Sequence, residues 1–376
     1  MRYVLLLAFT VAFVASLVLT ALARKLALRI GLVDHPGGRK GHEKPTPFGG
    51  GLAIVLSSWL VIGGAAAAAA LWRHNPSLLP VPDSFAPDVE KAAEKLHQVL
   101  MILGAGSVLA LFGLWDDARP RGPWTKFVVQ FGVAIAVVNW GGLQISPLPP
   151  IVPGLQGTAL AGWLQGAIAV LWIVVLANSF NLMDNMDGLC GTVAFVCAGA
   201  LLILGLQTGQ YFIGGFMVVL MGALLGFLCF NFPPASVFMG DMGSMFVGYM
   251  LATGTILATF VREGQFNPFF PVAVPLIIFV VPLYDSLSVA AIRLHHRRPL
   301  LKGDQNHFSH RIRRLGMNTR RVLLTVGLLT LATSLGATVP YGSPSWSAVV
   351  PAIQALCVVL VITQLELVSA RIEHPD

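Results

Sequence analysis

The sequence predicts an all-α, polytopic membrane protein with about eleven membrane-spanning helices. Of its 376 residues, 56% are hydrophobic and only 11% are charged, and the mean hydropathy is +0.76. A soluble domain carries about 25% charged residues, so this composition excludes an ordinary soluble enzyme. Long apolar runs recur along the whole chain and are typical of helices that cross a bilayer. The predicted spans are Tyr3–Ala23, Gly49–Trp72, Gln98–Trp115, Phe127–Gly142, Gly162–Ala177, Gly188–Leu206, Tyr211–Phe230, Gly243–Val261, Phe269–Ile292, Val322–Val339 and Trp346–Val368.

The first apolar run is interpreted as an uncleaved span, although Ala21, Leu22 and Ala23 resemble a signal-peptide cleavage site. The run is about 20 residues long, whereas the apolar part of a signal peptide has about 7–15. Arg24 and Lys25 follow it directly, as expected where a helix ends at the inner membrane face.

The basic residues predict an N-terminus outside and a C-terminus in the cytoplasm. In this orientation only five of the 24 lysines and arginines fall outside, which agrees with the positive-inside rule. We therefore expect one domain over residues 1–376 in the inner (plasma) membrane. Its functional cytoplasmic loops would lie at about 24–48, 116–126, 178–188, 231–243 and 293–321. The net charge of +7 on this face can attract anionic lipid, nucleotide or phosphate. The outside residues are Arg2, Arg73, Lys91, Lys95 and Arg262.

The first inner loop, residues 24–48, is rich in proline and glycine, which excludes a regular helix there. Arg39, Lys40, His42 and Lys44 make it cationic. Two interpretations stay open. The loop either only sets the membrane topology, or it brings charge and backbone to an anionic ligand.

Two adjacent carboxylates, Asp116 and Asp117, end the third span, and Lys126 follows nearby. Carboxylates do not anchor an inner-face span as lysine and arginine do. Because neighbouring carboxylates repel each other, this pair needs a cation or a metal. The pair therefore indicates a functional site.

The segment between the fifth and sixth spans is unusually rich in side-chain oxygens. A carboxylate at the centre of a bilayer helix costs roughly 2.5–3.5 kcal/mol, so this segment is predicted to be a turn at the membrane surface or in a water-filled cleft. A capped helix–helix turn is one interpretation. Oxygen clusters also suit a hard cation such as Mg²⁺, which is the interpretation we favour. The residues are Asn178, Asn181, Asp184, Asn185 and Asp187.

Asp241 stands between two glycines at the start of the eighth span. It could simply cap that helix, because a carboxylate stabilises a helix N-terminus. Phe238, three residues earlier, is either a core residue or a surface on which a base stacks.

The last long inner loop, Arg293–Arg321, contains nine lysines or arginines and four histidines, and so offers many donors for phosphate. Asp285, in the span before it, either pairs with a basic group or caps a bent helix. All these acids fall on the predicted inner face, whereas acids without a shared function would be scattered over both faces. The four cysteines form no C-x-x-C pair, which favours core packing over disulfides or zinc.

Six motifs occur in order: R-K-G-H-E-K-P-T-P-F-G-G, G-L-W-D-D, N-S-F-N-L-M-D-N-M-D-G-L, F-M-G-D-M-G-S, P-L-Y-D-S and G-D-Q-N-H-F-S-H-R. Together they resemble the polyprenyl-phosphate N-acetylhexosamine-1-phosphate transferase family, from residue 34 to about 314. The resemblance implies Mg²⁺-dependent (alternatively Mn²⁺-dependent) transfer of a sugar-1-phosphate from a UDP-sugar to a polyprenyl phosphate, with release of UMP.

The resemblance also implies roles for individual residues. Asn181 and Asp241 would hold the metal, and Asp116, Asp117, Asp184 and His307 would be catalytic. The substrates would be bound by Lys44 and Lys126, by Asp187, Asn231 and Phe238 at the uridine, and by His310 and Arg311, with His307, at the diphosphate.

Ser309 stands where the family usually has histidine, and Asn185 where it usually has glycine. The pattern is closer to the UDP-N-acetylglucosamine branch than to the phospho-MurNAc-pentapeptide translocase branch, which is the alternative. A secondary transporter of an anionic solute is less favoured, because the acids lie at span ends and no repeat is visible. No nucleic-acid partner is expected, and a homodimer is left open.

Overall fold

The computed structural model confirms an all-α architecture. It describes residues 2–35, 45–78, 80–143, 145, 158–258, 270–299, 306–339 and 349–373. Lys44 lies outside the described residues, as do Arg39, Lys40 and His42 of the same basic loop.

Within the described residues, each predicted span overlaps a helix or a run of consecutive helices. The elements are α1 (Arg2–Ile30), β1 (Val33–Asp34), β2 (Thr46–Pro47), α2 (Gly50–Ser58), a π-helical turn (Trp59–Gly63), α3 (Gly64–His74), α4 (Ala86–Glu94), α5 (Leu96–Ala118), α6 (Pro123–Trp140), α7 (Ala159–Met183), α8 (Leu189–Gln207), α9 (Tyr211–Asn231), α10 (Gly240–Leu257), α11 (Phe270–Ile278), α12 (Val280–His295), α13 (Phe308–Arg313), α14 (Thr319–Gly336) and α15 (Val349–Glu373).

Seven helical segments in the described ranges are long and apolar enough to cross a membrane: α1, the continuous α2–α3 unit, α5, α7, α8, α9 and α15. The bent pair α11–α12 makes an eighth if it counts as one span. The other predicted spans, α6, α10 and α14, have 18 residues each and include polar side chains such as Lys126, Asp241 and Arg320. The multi-pass character is thus confirmed, while eleven crossings and the orientation stay predictions.

The predicted ninth span is broken into α11 and α12, which are bent by 76°. Pro282 lacks the N–H that would bond the carbonyl of Ile278 one turn earlier. That carbonyl instead accepts from the Ser334 hydroxyl at 3.3 Å and from the Cys197 thiol at 3.5 Å. Side chains of other helices therefore satisfy the backbone at the bend, as proline in a membrane helix requires.

Helix α1 packs against α9 through small residues. Its buried positions are Ala12, Ser16, Thr20, Ala23 and Ala27. The facing surface of α9 contains two glycines four residues apart, Gly222 and Gly226, and a Cβ on either would lie within 2.6 Å of an α1 carbonyl oxygen. The Ser16 hydroxyl also donates to the carbonyl of Ala223 at 2.6 Å. This is the close small-residue packing typical of membrane helices.

Helix α10 is the centre of the bundle and packs against α2, α5, α7, α8 and α9. All its residues except Asp241 and Leu257 are buried. At its first turn α2 approaches so closely that a Cβ on Gly51 would lie 2.4 Å from the nitrogen of Gly243. The surrounding helices therefore fix the position of Asp241, at the end of this central helix.

The prediction of a non-helical loop over residues 24–48 is wrong at its start, because α1 continues to Ile30 before the first proline and glycine interrupt it. The described residues between α1 and α2 include two short strands. β1 and β2 form an antiparallel pair, with Val33 opposite Pro47. Phe48 then forms a parallel bridge with Phe238, whose N–H donates to Pro47 at 3.0 Å. The first inner loop is thereby joined to the segment that precedes α10.

Candidate active site

Polar residues singled out in the sequence and present in the described ranges meet at one end of the bundle. Contacts there join the C-terminal ends of α5, α7 and α9 to the N-terminal ends of α6, α8 and α10. At the opposite end, His97 at the start of α5 contacts the carbonyl of Trp140 at the end of α6. Residues far apart in the chain thus form one polar cluster at a single end of an otherwise apolar bundle.

Lys126 is the hub of this cluster. Its ammonium donates to Asp241 Oδ2 at 2.5 Å and to Asn181 Oδ1 at 3.1 Å, and lies 3.5 Å from Asp116 Oδ2. The amide of Asn181 donates to Asp241 Oδ1 at 2.7 Å and to the Ser244 hydroxyl at 2.9 Å. Four helices contribute these groups: α5, α6 and α7 contribute one each and α10 contributes two. The lysine neutralises part of the negative charge of the two carboxylates.

Asp116 and Asp117 occupy different environments although they are adjacent. Asp117 accepts the N–H groups of Asp241 at 2.9 Å and of Met242 at 3.3 Å, so it caps the N-terminus of α10. Gly240 permits this contact, because a Cβ there would lie 2.5 Å from Asp117 Oδ2. Asp116 accepts the N–H of Arg121 at 2.6 Å and faces Lys126. Asp116 is therefore the more available of the two for a substrate.

Asp184 follows the last residue of α7 and is half-buried beside the cluster. Burial raises the pKa of its carboxyl to about 8, and the negative charges of Asp241 and Asp117 act in the same direction, while the Gly240 N–H acts against them. Asp184 can therefore hold a proton near neutral pH. A bound cation would favour the ionised form instead.

Asp187 and Asn231 tie together two loops at this end of the bundle. Asp187 Oδ2 accepts the N–H of Ala235 at 2.9 Å. Asn231 is buried; it accepts the N–H of Gly188 at 2.9 Å and donates to the carbonyl of Val237 at 2.8 Å. These contacts therefore hold the segment after α9 that leads to half-buried Phe238. Their assigned contacts with uridine stay predictions.

His307 is buried and anchored to the bent helix α12. Its Nδ1 lies 2.9 Å from Asp285 Oδ2, and the other oxygen of Asp285 accepts the N–H of Phe308 at 2.5 Å. Asp285 therefore pairs with a basic side chain, that of His307, which is one of the two interpretations left open by the sequence. His310 lies one turn further along α13, where burial and the neighbouring charge of His307 lower its pKa to about 4. His310 is therefore neutral at physiological pH.

Arg311 is committed to other protein groups. Its guanidinium donates to Glu366 Oε1 from Nε at 3.0 Å and from Nη2 at 2.6 Å. It also donates to the Ser288 hydroxyl at 2.6 Å and to the carbonyl of Asn306. The assigned contact of Arg311 with the diphosphate stays a prediction, and it would require these partners to be given up.

The two departures from the family motif contact each other. The Ser309 hydroxyl donates to Asn185 Oδ1 at 2.6 Å, and the Asn185 amide donates to the carbonyl of Leu182 at 2.7 Å. Ser309 is 3% exposed, so this bond is shielded from water. Ser309 and Asn185 thus join the segment after α7 to α13.

In the described ranges, no three His, Cys, Asp or Glu side chains converge closely enough to hold a metal by themselves. Asn181 and Asp241 nevertheless present two oxygens to one cationic group, the Lys126 ammonium. This donor set is suited to a hard cation such as Mg²⁺, which usually takes one or two protein oxygens and completes its shell with water and phosphate.

Sequence reasoning missed Glu366, and left the partner of Asp285 open. The signal was present, because an ionisable residue within an apolar span is rarely without a function. Glu366 is the single charged residue between Val349 and Ala370. Its partner could not be read from sequence because Arg311 lies 55 residues away.

Comparisons with known proteins point to one family. Residues 99–259 match glycosyl transferase family 4. The chain is 30% identical over 339 residues to a probable undecaprenyl-phosphate N-acetylglucosaminyl 1-phosphate transferase of Bacillus subtilis (strain 168), covering 90% of this chain and 86% of the relative. It is 29% identical over 365 residues to the decaprenyl-phosphate N-acetylglucosaminephosphotransferase of Mycolicibacterium smegmatis, covering 93% and 85%. The chain therefore belongs to glycosyl transferase family 4, the polyprenyl-phosphate N-acetylhexosamine-1-phosphate transferases.

Proposed function

We propose that this protein transfers N-acetylglucosamine-1-phosphate from UDP-N-acetylglucosamine to undecaprenyl phosphate, or a similar polyprenyl phosphate, and releases UMP. The reaction would be the first membrane step of a cell-envelope glycan. The observation that carries the proposal is the convergence of Asp116, Lys126, Asn181 and Asp241 at one end of a membrane bundle. The names of the relatives, which match over most of both chains, support the sugar and the lipid class.

The reaction needs little covalent chemistry from the protein, because phosphoryl transfer depends mainly on positioning and on neutralising charge. The acceptor is a lipid phosphate whose second pKa is about 6, so it is largely dianionic at neutral pH. Strong general-base help is therefore unnecessary. We assign Asp116 to orienting the acceptor, and Asp117 to holding the start of α10 through its two N–H contacts.

Asn181 and Asp241 would hold Mg²⁺, with Mn²⁺ as an alternative. When bound, the ion would neutralise charge on the donor diphosphate. Lys126, which lies between these two ligands, would serve the same anionic substrate as a second positive charge. Asp184 would keep or release its proton according to the charge beside it.

On the donor side, His307 is oriented by Asp285, so its second ring nitrogen is the one available to a phosphate. Neutral His310 can donate one hydrogen bond. Asp187, Asn231 and Phe238 would form the uridine side of the site. We further propose that this end of the bundle faces the cytoplasm at the inner membrane, where the donor nucleotide would be present.

A transferase assay tests the proposal. The purified protein is incubated with polyprenyl phosphate and Mg²⁺, and with either UDP-N-acetylglucosamine, other UDP-N-acetylhexosamines or UDP-MurNAc-pentapeptide, while UMP and lipid-linked sugar are measured. We expect both products with UDP-N-acetylglucosamine. Turnover with the pentapeptide donor alone would assign the chain to the translocase branch, and no turnover with any donor would refute the proposal.

A further inference from the structure

The last helix, α15, contains an acidic residue that a lipid-facing span would not need. Glu366 lies inside the candidate span Val349–Ser369. Most residues of this span are not buried within the protein. An ionised carboxylate inside a bilayer is unfavourable unless it is paired. The side chain of Glu366 is only 15% exposed, so it faces the protein.

Glu366 and Ser369 together hold α13. Glu366 Oε1 accepts two hydrogen bonds from the Arg311 guanidinium, and Oε2 accepts the Tyr284 hydroxyl at 2.8 Å. One turn later, the Ser369 hydroxyl donates to the carbonyl of Arg311 at 2.7 Å. The last helix thus grips both the side chain and the backbone of Arg311.

The guanidinium of Arg311 has little capacity left for a substrate. Nε and Nη2 contact Glu366, Nη2 also contacts the Ser288 hydroxyl, and Nη1 contacts the carbonyl of Asn306. Binding of a diphosphate through the planar fork needs two adjacent N–H groups that point the same way. Here those groups point at Glu366, and the side chain of Arg311 is 9% exposed.

The same short helix carries His307 and His310. α12 holds its start through Asp285, and α15 holds its middle through Arg311. A shift of α13 relative to either helix would move both histidines. Since a displacement of about 1 Å in a positioning group can reduce the rate about a hundredfold, this support has consequences for catalysis.

We propose that Arg311 and Glu366 are a positioning pair: the last membrane helix braces α13, and Arg311 acts through Glu366 instead of contacting the substrate. The inference rests on the proposed transferase function, since His307 and His310 matter only if they meet the donor diphosphate. It assigns to the C-terminal helix a part in the active site.

A double-mutant cycle on purified, monodisperse protein tests the pair. Arg311→Met, Glu366→Gln and the double variant are compared by kcat and KM for UDP-N-acetylglucosamine, per folded enzyme. We expect kcat to fall by a similar factor, about tenfold or more, in both single variants. The kcat of the double variant should be no lower than that of the less active single variant. A wild-type kcat/KM in Glu366→Gln beside a severe loss in Arg311→Met would overturn the proposal, because Arg311 would then act on the substrate alone.

Milder variants cover the case in which a buried charge left alone prevents folding. Tyr284→Phe removes the hydrogen bond to Glu366 Oε2 together with the 3.3 Å contact to Thr363, and Ser369→Ala removes the bond to the Arg311 carbonyl. Each should lower kcat by about twofold to fivefold. Thr363→Val, one turn before Glu366, removes a contact with the Tyr284 hydroxyl and serves as the matched control with wild-type kcat. Wild-type kcat in both mild variants would contradict the proposal.

Hydrogen–deuterium exchange separates this inference from the proposed function. The amides of residues 308–313 should exchange faster in Glu366→Gln than in the wild type, whether or not transfer occurs. Faster exchange together with an inactive wild type would refute the transferase and leave the brace standing. Unchanged exchange in an active enzyme would refute the brace alone.

Discussion

Asp116 and Asp117 are adjacent, but their substitution should affect turnover and stability differently. Asp117→Asn places an amide N–H₂ group against two backbone N–H donors, so the start of α10 loses a partner. Asp116→Asn leaves that cap intact and weakens the interaction with Lys126. We expect turnover in the two variants to differ by about tenfold or more, roughly 1.4 kcal/mol in the barrier, and only Asp117→Asn to lower the unfolding temperature. UMP release and thermal unfolding measure both, and equal losses with equal unfolding temperatures would refute the distinction.

His307 and Ser309 are neighbours on α13 with unequal expected importance. His307→Ala removes the ring that Asp285 orients, and turnover should fall by about a hundredfold or more. Ser309→Ala removes one hydrogen bond to Asn185, which is worth about 1 kcal/mol, so its turnover should fall less than about tenfold. Both variants are compared at saturating donor after folding is checked by size-exclusion chromatography. An equal loss of turnover in the two variants would mean that this loop matches the family motif in a different register.

The low pKa of His310 predicts an effect on stability. The unfolded chain binds a proton at this histidine below about pH 6.5, whereas the folded protein does so only below about pH 4. The free energy of unfolding therefore falls as the pH is lowered through this window. His310→Gln removes this contribution, so wild-type protein should lose thermal stability relative to the variant between pH 7 and pH 5. A difference that stays constant with pH would contradict burial of a neutral ring.

At the scale of the helices, the α1–α9 contact has no room for added atoms. A Cβ on Gly226 would lie 2.6 Å from the carbonyl oxygen of Phe13, whereas one on Gly215 of the same helix would meet nothing within 4 Å. Gly226→Ala should reduce the free energy of unfolding by about 1–3 kcal/mol. Gly215→Ala, the matched control, should be neutral or stabilising by up to about 1 kcal/mol. Thermal unfolding in detergent compares the two, and equal stability would show that the helices can separate without loss.

The approximate positions of the helices could be predicted from the sequence, but the bend between α11 and α12 was not. Each apolar run became a helix because a bilayer leaves the backbone no other way to satisfy its hydrogen bonds. The break between α11 and α12 depends on the hydroxyl of Ser334, which reaches the carbonyl of Ile278 from a helix 56 residues further on. Pro282 is a local signal of a bend that the sequence analysis did not use, and no local pattern indicates which distant side chain would stabilise it.

For the whole molecule, the site could be predicted in outline because its motifs all fell on one face. Adjacent acids at span ends indicated function through the repulsion they impose, without knowledge of what they contact. In the sequence, Asn185 and Ser309 are two separate departures from the residues that are usual in the family. Only the fold brings the two side chains to 2.6 Å, because a tertiary contact across 124 residues leaves no periodic trace in one sequence.

Turnover of the intact enzyme should depend on a divalent cation. Excess chelator should abolish UMP release, and added Mg²⁺ should restore it, because the diphosphate carries more negative charge than Lys126 alone can neutralise. Asp241→Asn should lose most activity at any Mg²⁺ concentration and still purify as a folded protein. Full turnover in chelator would remove the metal from the mechanism, and near-normal turnover of Asp241→Asn would remove Asp241 from the site.

The ammonium of Lys126 between Asp241 and Asn181 has a consequence for biogenesis. The acidic cluster contains its own counter-ion, so the bundle can assemble in the membrane before any metal arrives. Folding and the proposed binding of Mg²⁺ would then be separate events. Metal-depleted protein is expected to keep its helices and its unfolding temperature while it is inactive. It should regain activity as soon as Mg²⁺ is mixed in.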